Sequence, residues 1–399
     1  MNEIRLSQRV AAVKPSPTLA VSAKAAELRA AGKDIIGLGA GQPDFDTPEH
    51  IKEAAIRAIR DGQTGYTAVD GTPELKTAIQ TKFKRDQGLD FAMDQILVSV
   101  GGKHSFYNLC QALLDPGDEV VIPAPYWVSY PDMARLAGGE PVFIGAGMDQ
   151  GFKITPEQLD ATVTASTRLV VINSPSNPSG KAYSKAELAA LGEVLRFHED
   201  VLIATDDMYE HILWSEEGFA NILDACPDLY ERTIVLNGVS KAYAMTGWRI
   251  GYIGGPAPLV KKMKTIQSQS TSNPCSIAQA AAAEALNSDQ ACIRPMLEAF
   301  KTRHDYIHTA LNQLPSVTCL PSDGTFYSFP SFQGAIDQID GIDNDLDLAA
   351  YLLETAGLAV VPGSAFGAEG CLRISFATEL DVLKEAVRRF ANALVVREM

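Results

Sequence analysis

The sequence lacks both a long apolar run and an excess of positive charge. No stretch approaches the roughly 18 consecutive apolar residues that a membrane-spanning helix requires, so we expect no membrane span. The formal net charge at pH 7 is −15, which would repel nucleic acid and argues against it as a partner. Small anionic substrates stay compatible with this charge, because they need only a local basic pocket.

Cysteines are few and scattered along the chain. None of the six has CxxC spacing, and most lie in apolar surroundings, which is typical of reduced, buried thiols rather than of a metal site or a disulfide framework. The first ten residues, MNEIRLSQRV, lack the apolar core of a secretory signal. We therefore predict a cytoplasmic protein without a metal site.

What the chain does contain is an alternation of short apolar segments with amphipathic ones across its middle part. The predicted strands are QILVSV, DEVVIP, EPVFIG, TRLVVIN, VLIATDD, RTIVLNG and WRIGYIGG. Helical segments such as KHSFYNLCQALL and SKAELAALGEVLRFH separate them. This alternation predicts an α/β fold whose large domain holds a mainly parallel sheet flanked by helices.

The two ends of the chain predict a smaller α+β domain. Residues 19–31 have helical periodicity, a second helix is predicted from residue 48 with Thr47 as its N-cap, and residues 274–314 read as one long helical stretch. The segments GTFYSFP, LAVVPG and CLRISFA are predicted strands. We expect the N-terminal arm and first helix to pack with this C-terminal part. The predicted divisions are residues 1–46 (N-terminal arm and part of the small domain), 47–300 (large cofactor-binding domain) and 301–399 (small C-terminal domain).

Several candidate site residues directly follow predicted strands, at the edge where parallel sheets bind ligands. Gly101 and Gly102 open a helix after QILVSV, and two glycines there let backbone N–H groups approach an anion closely. Asp206 ends the strand VLIATD, and a buried carboxylate at this point needs a partner such as a protonated ring nitrogen. Simpler alternatives stay open: a strand-to-helix turn for the glycines, and a helix N-cap or an ion pair for the carboxylate.

Lys241 follows the strand TIVLNG within NGVSKAYAMTGWRIGY, where its neighbours are small. A lysine amine with a lowered pKa forms a Schiff base with an aldehyde, and small neighbours leave room for a ring. Arg249, eight residues later, would clamp a phosphate.

Three further residues extend this set. Trp127 offers a flat ring for stacking on a planar cofactor. Asn177, in the turn SPSNPSG, offers an amide donor to a phenolic oxygen, and Arg373, among apolar residues in CLRISFA, offers a bidentate carboxylate site. Each has a structural alternative, namely a core tryptophan, a turn-forming asparagine and an internal ion pair. Together with Lys241 and Asp206, they make up what pyridoxal phosphate requires of a protein.

Five motifs, GAGQPDFDTP, PYWVSYP, NSPSNPSG, SKAYAMTGWRIGY and CLRISFA, resemble those of class I pyridoxal-phosphate aminotransferases. The bacterial aspartate aminotransferase branch, some members of which accept prephenate, is the most similar, and the resemblance covers essentially the whole chain. It implies the type I aspartate aminotransferase fold and a homodimer with active sites at the subunit interface. Departures from the family pattern remove no catalytic group; they are Gln42, His104, Asp207 and Met208.

The resemblance also implies a role for each matching residue. Lys241 would carry pyridoxal phosphate and shuttle a proton, while Asp206 would pair with the ring nitrogen. The remaining cofactor-binding residues would be Asn177 and Tyr209 (phenolic oxygen), Trp127 (ring), Gly102, Lys103 and Arg249 (phosphate), and Tyr66 (phosphate of the neighbouring subunit). The substrate-binding residues would be Arg373 (α-carboxylate), Gly41, Trp127 and Asn177 (pocket walls), and Lys14, Thr18 and Lys103 (distal carboxylate), with Lys14 and Thr18 matching relatives that accept prephenate.

The implied reaction is ping-pong transamination between aspartate or glutamate and 2-oxoglutarate or oxaloacetate, with conversion of prephenate to arogenate as an addition. Three alternatives stay open. One is an aminotransferase for aromatic, alanine or methionine-type substrates, and another is a lyase of the same fold, because fold does not fix the reaction. The third, a ligand sensor in a transcription regulator, would need an attached DNA-binding module.

Overall fold

The computed structural model describes residues 4–13, 15 and 17–394. Its α-helices are α1 (Gln8–Ala11), α2 (Pro17–Ala30), α3 (Glu49–Arg60), α4 (Pro73–Gln87), α5 (Gly102–Leu113), α6 (Ser129–Ala137), α7 (Pro156–Thr162), α8 (Lys185–Arg196), α9 (Ile222–Ala225), α10 (Ala257–Ser268), α11 (Ser276–Asn287), α12 (Arg294–Leu311), α13 (Gln333–Ile336), α14 (Asp345–Ala356) and α15 (Leu380–Ala393). Its strands are β1 (Ile36–Gly37), β2 (Ile96–Ser99), β3 (Glu119–Ala124), β4 (Glu140–Gly145), β5 (Thr167–Asn173), β6 (Leu202–Asp206), β7 (Thr233–Gly238), β8 (Gly251–Gly254), β9 (Tyr327–Ser328), β10 (Leu358–Ala359), β11 (Val361–Pro362) and β12 (Leu372–Ser375). Across these described ranges, none of the helices combines the length and apolar character that crossing a membrane demands.

The large sheet has the strand order β2-β8-β7-β6-β5-β3-β4. Strands β7, β6, β5, β3 and β4 are parallel neighbours, whereas β8 runs antiparallel between β2 and β7. The predicted α/β fold with a mainly parallel sheet is therefore confirmed. In the β5–β6 register, Asn173 lies opposite Asp206, so the polar residues that end these two strands meet at one edge of the sheet.

Helices cover both faces of this sheet because successive strand residues point to opposite sides. In β5, Val170 packs into a core with α3, α4, α8 and α11, while Val171 packs into a second core with α5, α6 and α10. Both side chains are buried, and burying a valine stabilises the fold by roughly 1.5–3 kcal/mol. The double covering explains why the sequence of these strands is continuously apolar.

A third core lies under the smaller sheet β11-β12-β9. Helices α12, α14 and α15 supply residues such as Phe300, Leu348 and Phe390 to it. The pair β1–β10 is parallel, with Ile36 opposite Leu358, and Ala25 of α2 packs against Ala359 of β10. Helix α2 and strand β1 thus pack with the C-terminal part, as expected, whereas α1 of the N-terminal arm contacts α6 of the large domain instead. The exact division at residues 46 and 300 remains our proposal.

Two local predictions were wrong. Helix α3 begins at Glu49 with Pro48 as its N-cap residue, and Thr47 does not cap it. Instead, the Thr47 hydroxyl donates to the Ala244 carbonyl at 2.8 Å and accepts from Trp248 Nε1 at 3.0 Å. The stretch predicted as one long helix is two helices, α11 and α12, joined by a short 3₁₀ turn over Gln290–Ile293.

Candidate active site

A cavity of about 590 Å³ opens at the carboxyl edge of the large sheet and reaches the small sheet. It brings together most of the residues that the sequence predicted for the site. Those that line it are Thr18, Gly41, Gly102, Lys103, Trp127, Asn177, Asp206, Tyr209, Lys241, Arg249 and Arg373. Tyr66 lies elsewhere, with 96% of its side chain exposed beside Gln63 and Ser276. Lys14 falls outside the described residues.

Lys241 enters the cavity from the loop after β7. Its Nζ donates a 2.5 Å hydrogen bond to the Gly41 carbonyl. Burial, followed by the positive charges of Arg373 and Arg249, lowers the pKa of Lys241 to about 7, against the opposing pull of Asp206. A large fraction of this amine is therefore neutral near pH 7, as a nucleophile or a general base must be.

Asp206 is the last residue of β6, and it lines the cavity. Its Oδ2 accepts a 2.5 Å hydrogen bond from the Tyr130 hydroxyl, and its Oδ1 accepts from the Met208 backbone N–H at 3.2 Å. Burial raises the pKa of Asp206, and the two hydrogen bonds and Lys241 counteract this only in part. A buried carboxylate of this kind favours a cationic partner, and a protonated ring nitrogen would be one.

Tyr209 and Tyr327 form a pair of buried hydroxyls beside the lysine. Their oxygens lie 3.2 Å apart, and the Lys241 amine lies 5.8 Å from the centre of the Tyr209 ring. Burial, together with the Tyr327 hydroxyl, raises the pKa of Tyr209 well above its usual value. The Tyr209 hydroxyl therefore stays protonated and is available as a hydrogen-bond donor.

Arg373, in the middle strand of the small sheet, is buried with 2% of its surface exposed. Its Nη1 donates to Asn177 Oδ1 at 2.9 Å and its Nη2 donates to the Gly39 carbonyl at 2.8 Å. Its guanidinium lies 4.4 Å from the centre of the Tyr327 ring, and its buried Nε has no hydrogen-bond partner among the described residues. These partners are all neutral, so the desolvated charge favours a carboxylate brought by a ligand.

A corner lined by glycines lies where α5 begins. Gly101 has a φ of 85°, and a Cβ there would overlap the Arg249 guanidinium. A Cβ on Gly251 would likewise overlap the Gly102 nitrogen, so this corner tolerates only glycine at both positions. The N-terminus of α5 and the Arg249 side chain, which donates to the Thr246 carbonyl at 2.8 Å, give the corner a positive potential.

Lys103 and Trp127 form one wall of the cavity. The Lys103 ammonium lies 5.2 Å from the centre of a Trp127 ring, a cation–π contact. Partial burial and the nearby Arg249 charge lower the pKa of Lys103. In the same cavity, the Thr18 hydroxyl of α2 is buried, and no group within residues 4–13, 15 and 17–394 forms a hydrogen bond with it. An ammonium and a hydroxyl are therefore available to a second polar group of a ligand.

The sequence reasoning missed several cavity residues. Tyr130 and Tyr327 stand in segments that were singled out for other reasons, PYWVSY and GTFYSFP, and Ser240 directly precedes Lys241. The position after a predicted strand end was a signal for Ser240. The two tyrosines gave no such signal, because their contacts to Asp206 and Tyr209 span 76 and 118 residues of chain.

The chain is similar in sequence and in fold to known proteins. The family model described as aminotransferase class I and II matches residues 33–390. An aspartate/prephenate aminotransferase of Nitrosomonas europaea is 62% identical, over 98% of this chain and all of that protein. The crystal structure of an aspartate aminotransferase from Rhizobium meliloti superposes with a TM-score of 0.95 at 48% identity, covering 98% of this chain and 99% of the other. An aspartate aminotransferase from Thermus thermophilus with maleate gives a TM-score of 0.92 at 43% identity, covering 98% and 100%.

Proposed function

Because this chain belongs to the aminotransferase class I and II family, we propose that it uses pyridoxal phosphate to transfer the amino group of aspartate or glutamate to 2-oxoglutarate or oxaloacetate. We include prephenate as a further acceptor, since the Nitrosomonas europaea relative is an aspartate/prephenate aminotransferase. The observation that carries the proposal is the meeting of Lys241, Asp206 and Arg373 in one cavity.

The residues of the cavity fit pyridoxal phosphate. The corner formed by Gly101, Gly102 and Gly251, with Arg249 beside it, suits the phosphate, since a Cβ on Gly251 would overlap the Gly102 nitrogen, which is one of the backbone donors. Asp206 suits the ring nitrogen, and Trp127 suits the ring face. The hydroxyl of Tyr209 and the amide of Asn177 suit the phenolic oxygen.

When bound, pyridoxal phosphate supplies an aldehyde that bonds to amines and a ring that withdraws electrons from the substrate Cα. Asp206 keeps the ring nitrogen protonated through its negative charge. Arg373 binds the substrate α-carboxylate and so sets the position of the Cα proton. A large fraction of the Lys241 amine is neutral near pH 7, so its Nζ can take the proton from the substrate Cα. The same Nζ then returns the proton to a position one carbon away from Cα.

We assign the selection of a dicarboxylic substrate to the cavity wall that Lys103 and Trp127 form. Arg373 holds only one carboxylate, so aspartate needs a second cationic contact. We propose Lys103 for this contact, which is supported by its position in the cavity lining and by the cation–π contact of its ammonium with the Trp127 ring. The Thr18 hydroxyl, which has no hydrogen-bond partner in the described part of the chain, lies in the same cavity. We include Lys14, four residues earlier in the chain, in this subsite. The Thermus thermophilus relative was solved with maleate, a dicarboxylate.

We further propose a homodimer with shared active sites. Tyr66 is almost fully exposed, and it lies beside an open depression lined by α11 residues such as Ser276 and Glu284. In a monomer, an aromatic side chain in this position would be left in water. A second copy of the chain would cover it, and Tyr66 would then contribute to the phosphate site of that copy.

The experiment is a panel of donors and acceptors with cofactor-loaded protein. We expect aspartate and glutamate to be the best donors, parallel-line kinetics with 2-oxoglutarate or oxaloacetate, and slower arogenate formation from prephenate. Keto-acid release that needs no acceptor for continued turnover would indicate a lyase. A preference for phenylalanine, alanine or methionine would replace aspartate as the substrate while keeping the aminotransferase assignment.

A further inference from the structure

Tyr130 lines the cavity near the start of α6. Its side chain is 1% exposed, and its hydroxyl donates to Asp206 Oδ2 at 2.5 Å. A buried tyrosine needs an acceptor, but a backbone carbonyl would satisfy that need equally well. The acceptor here is instead the carboxylate that we assign to the cofactor ring.

The Tyr130 ring is held from two sides. Phe106 of α5 contacts it at a centroid distance of 4.8 Å, and the Trp127 ring meets it edge-on at 5.2 Å and 87°. Burial, together with the negative charge of Asp206, raises the pKa of Tyr130 well above its usual value. The hydroxyl therefore points in one direction and remains a proton donor throughout the neutral range.

Each Asp206 oxygen has a different donor. Oδ2 accepts from Tyr130, while Oδ1 accepts the longer hydrogen bond from the Met208 N–H at 3.2 Å. A donor on each oxygen fixes the rotation of the carboxylate plane. A short hydrogen bond to an ionised carboxylate also favours its charged form, which burial alone would disfavour.

We propose that Tyr130 is a positioning residue that fixes the orientation and the negative charge of Asp206 toward the ring nitrogen of pyridoxal phosphate. This inference rests on the proposed function. Tyr130 acts through Asp206 and exchanges no proton with the substrate. Tyr130 also contacts Trp127, which we assign to the face of the cofactor ring. It therefore links Trp127 to Asp206, which we assign to the ring nitrogen.

The test is cofactor binding by the apoprotein, followed through quenching of intrinsic tryptophan fluorescence. Two ligands are compared: pyridoxal phosphate, and an analogue in which a C–H replaces the ring nitrogen. Tyr130→Phe should weaken binding of pyridoxal phosphate roughly tenfold and change that of the analogue by less than about twofold. In an Asp206→Asn background, the same substitution should have little effect on either ligand.

Tyr243→Phe is the matched control. The Tyr243 hydroxyl is also buried and donates a 2.5 Å hydrogen bond to a side-chain oxygen, that of Gln290, but it does not line the cavity. This variant should bind both ligands as the wild type does. Equal weakening of both ligands by Tyr130→Phe, no weakening at all, or the same weakening without the Asp206 carboxylate would each overturn the inference. Failure of the wild type to bind pyridoxal phosphate would instead overturn the proposed function.

Discussion

The Lys241 amine and the Gly41 carbonyl are joined by a 2.5 Å hydrogen bond across 200 residues of chain. This contact ties the end of β7 in the large sheet to the segment that follows β1. The same segment, through the Gly39 carbonyl, accepts a hydrogen bond from Arg373. The side chains assigned to chemistry and to substrate binding are thus both held by backbone carbonyls of this one segment.

Lys241→Ala should abolish covalent attachment of pyridoxal phosphate while the fold is retained, because this buried amine is the nucleophile of the cavity. Borohydride reduction of the loaded wild type, followed by peptide mapping, should place the label on Lys241. Lys181→Ala serves as the control, since that lysine pairs with Asp323 and does not line the cavity. A label on any other lysine of the wild type would contradict the assignment.

The rate of cofactor capture by the apoprotein should rise with pH through about 7. Burial, and then Arg373, lowers the pKa of Lys241 to about 7, so the neutral, reactive fraction grows from about 10% at pH 6 to about 90% at pH 8. In Arg373→Gln, one of the charges that lower this pKa is gone, and the midpoint should move to higher pH. Stopped-flow absorbance at several pH values measures both proteins. The pH dependence of the cofactor itself is the same in both measurements and so cancels in the comparison. Identical midpoints would show that Arg373 does not influence the pKa of the Lys241 amine.

Asp206→Asn should retain the cofactor but slow transamination roughly a thousandfold. The phosphate corner and Lys241 are unchanged, whereas a neutral amide no longer keeps the ring nitrogen protonated. Cofactor content by absorbance and kcat for aspartate together test this. Near-normal turnover would mean that Asp206 is structural and that another carboxylate serves the ring.

Lys103→Ala should lower kcat/KM for aspartate by roughly 10- to 100-fold and leave phenylalanine almost unchanged. Only the dicarboxylic substrate loses a charge-assisted contact in this variant. Arg373→Lys is the contrasting variant, because the loss of bidentate geometry should weaken both substrates. Equal losses for aspartate and phenylalanine in Lys103→Ala would remove Lys103 as the distal site.

The sequence predicted the large sheet and the strand-end residues well, because both depend on short segments. An apolar strand followed by Asp206 or by Lys241 is recognisable locally, and parallel strands bring such ends to one edge. Contacts between distant segments were not predictable in this way. Thr47 has the sequence of an N-cap, yet its hydroxyl bonds with Ala244 and Trp248, about 200 residues away. The contact between Tyr130 and Asp206 was not predicted for the same reason, since it spans 76 residues of chain.

The most direct test of the central claim is a single turnover of the loaded protein with aspartate alone. With no keto acid present, we predict one equivalent of oxaloacetate per cofactor, retention of the amino group by the protein, and release of that group as glutamate when 2-oxoglutarate is added. Loaded protein that gives no oxaloacetate from aspartate, while converting phenylalanine or alanine to its keto acid, would contradict the account.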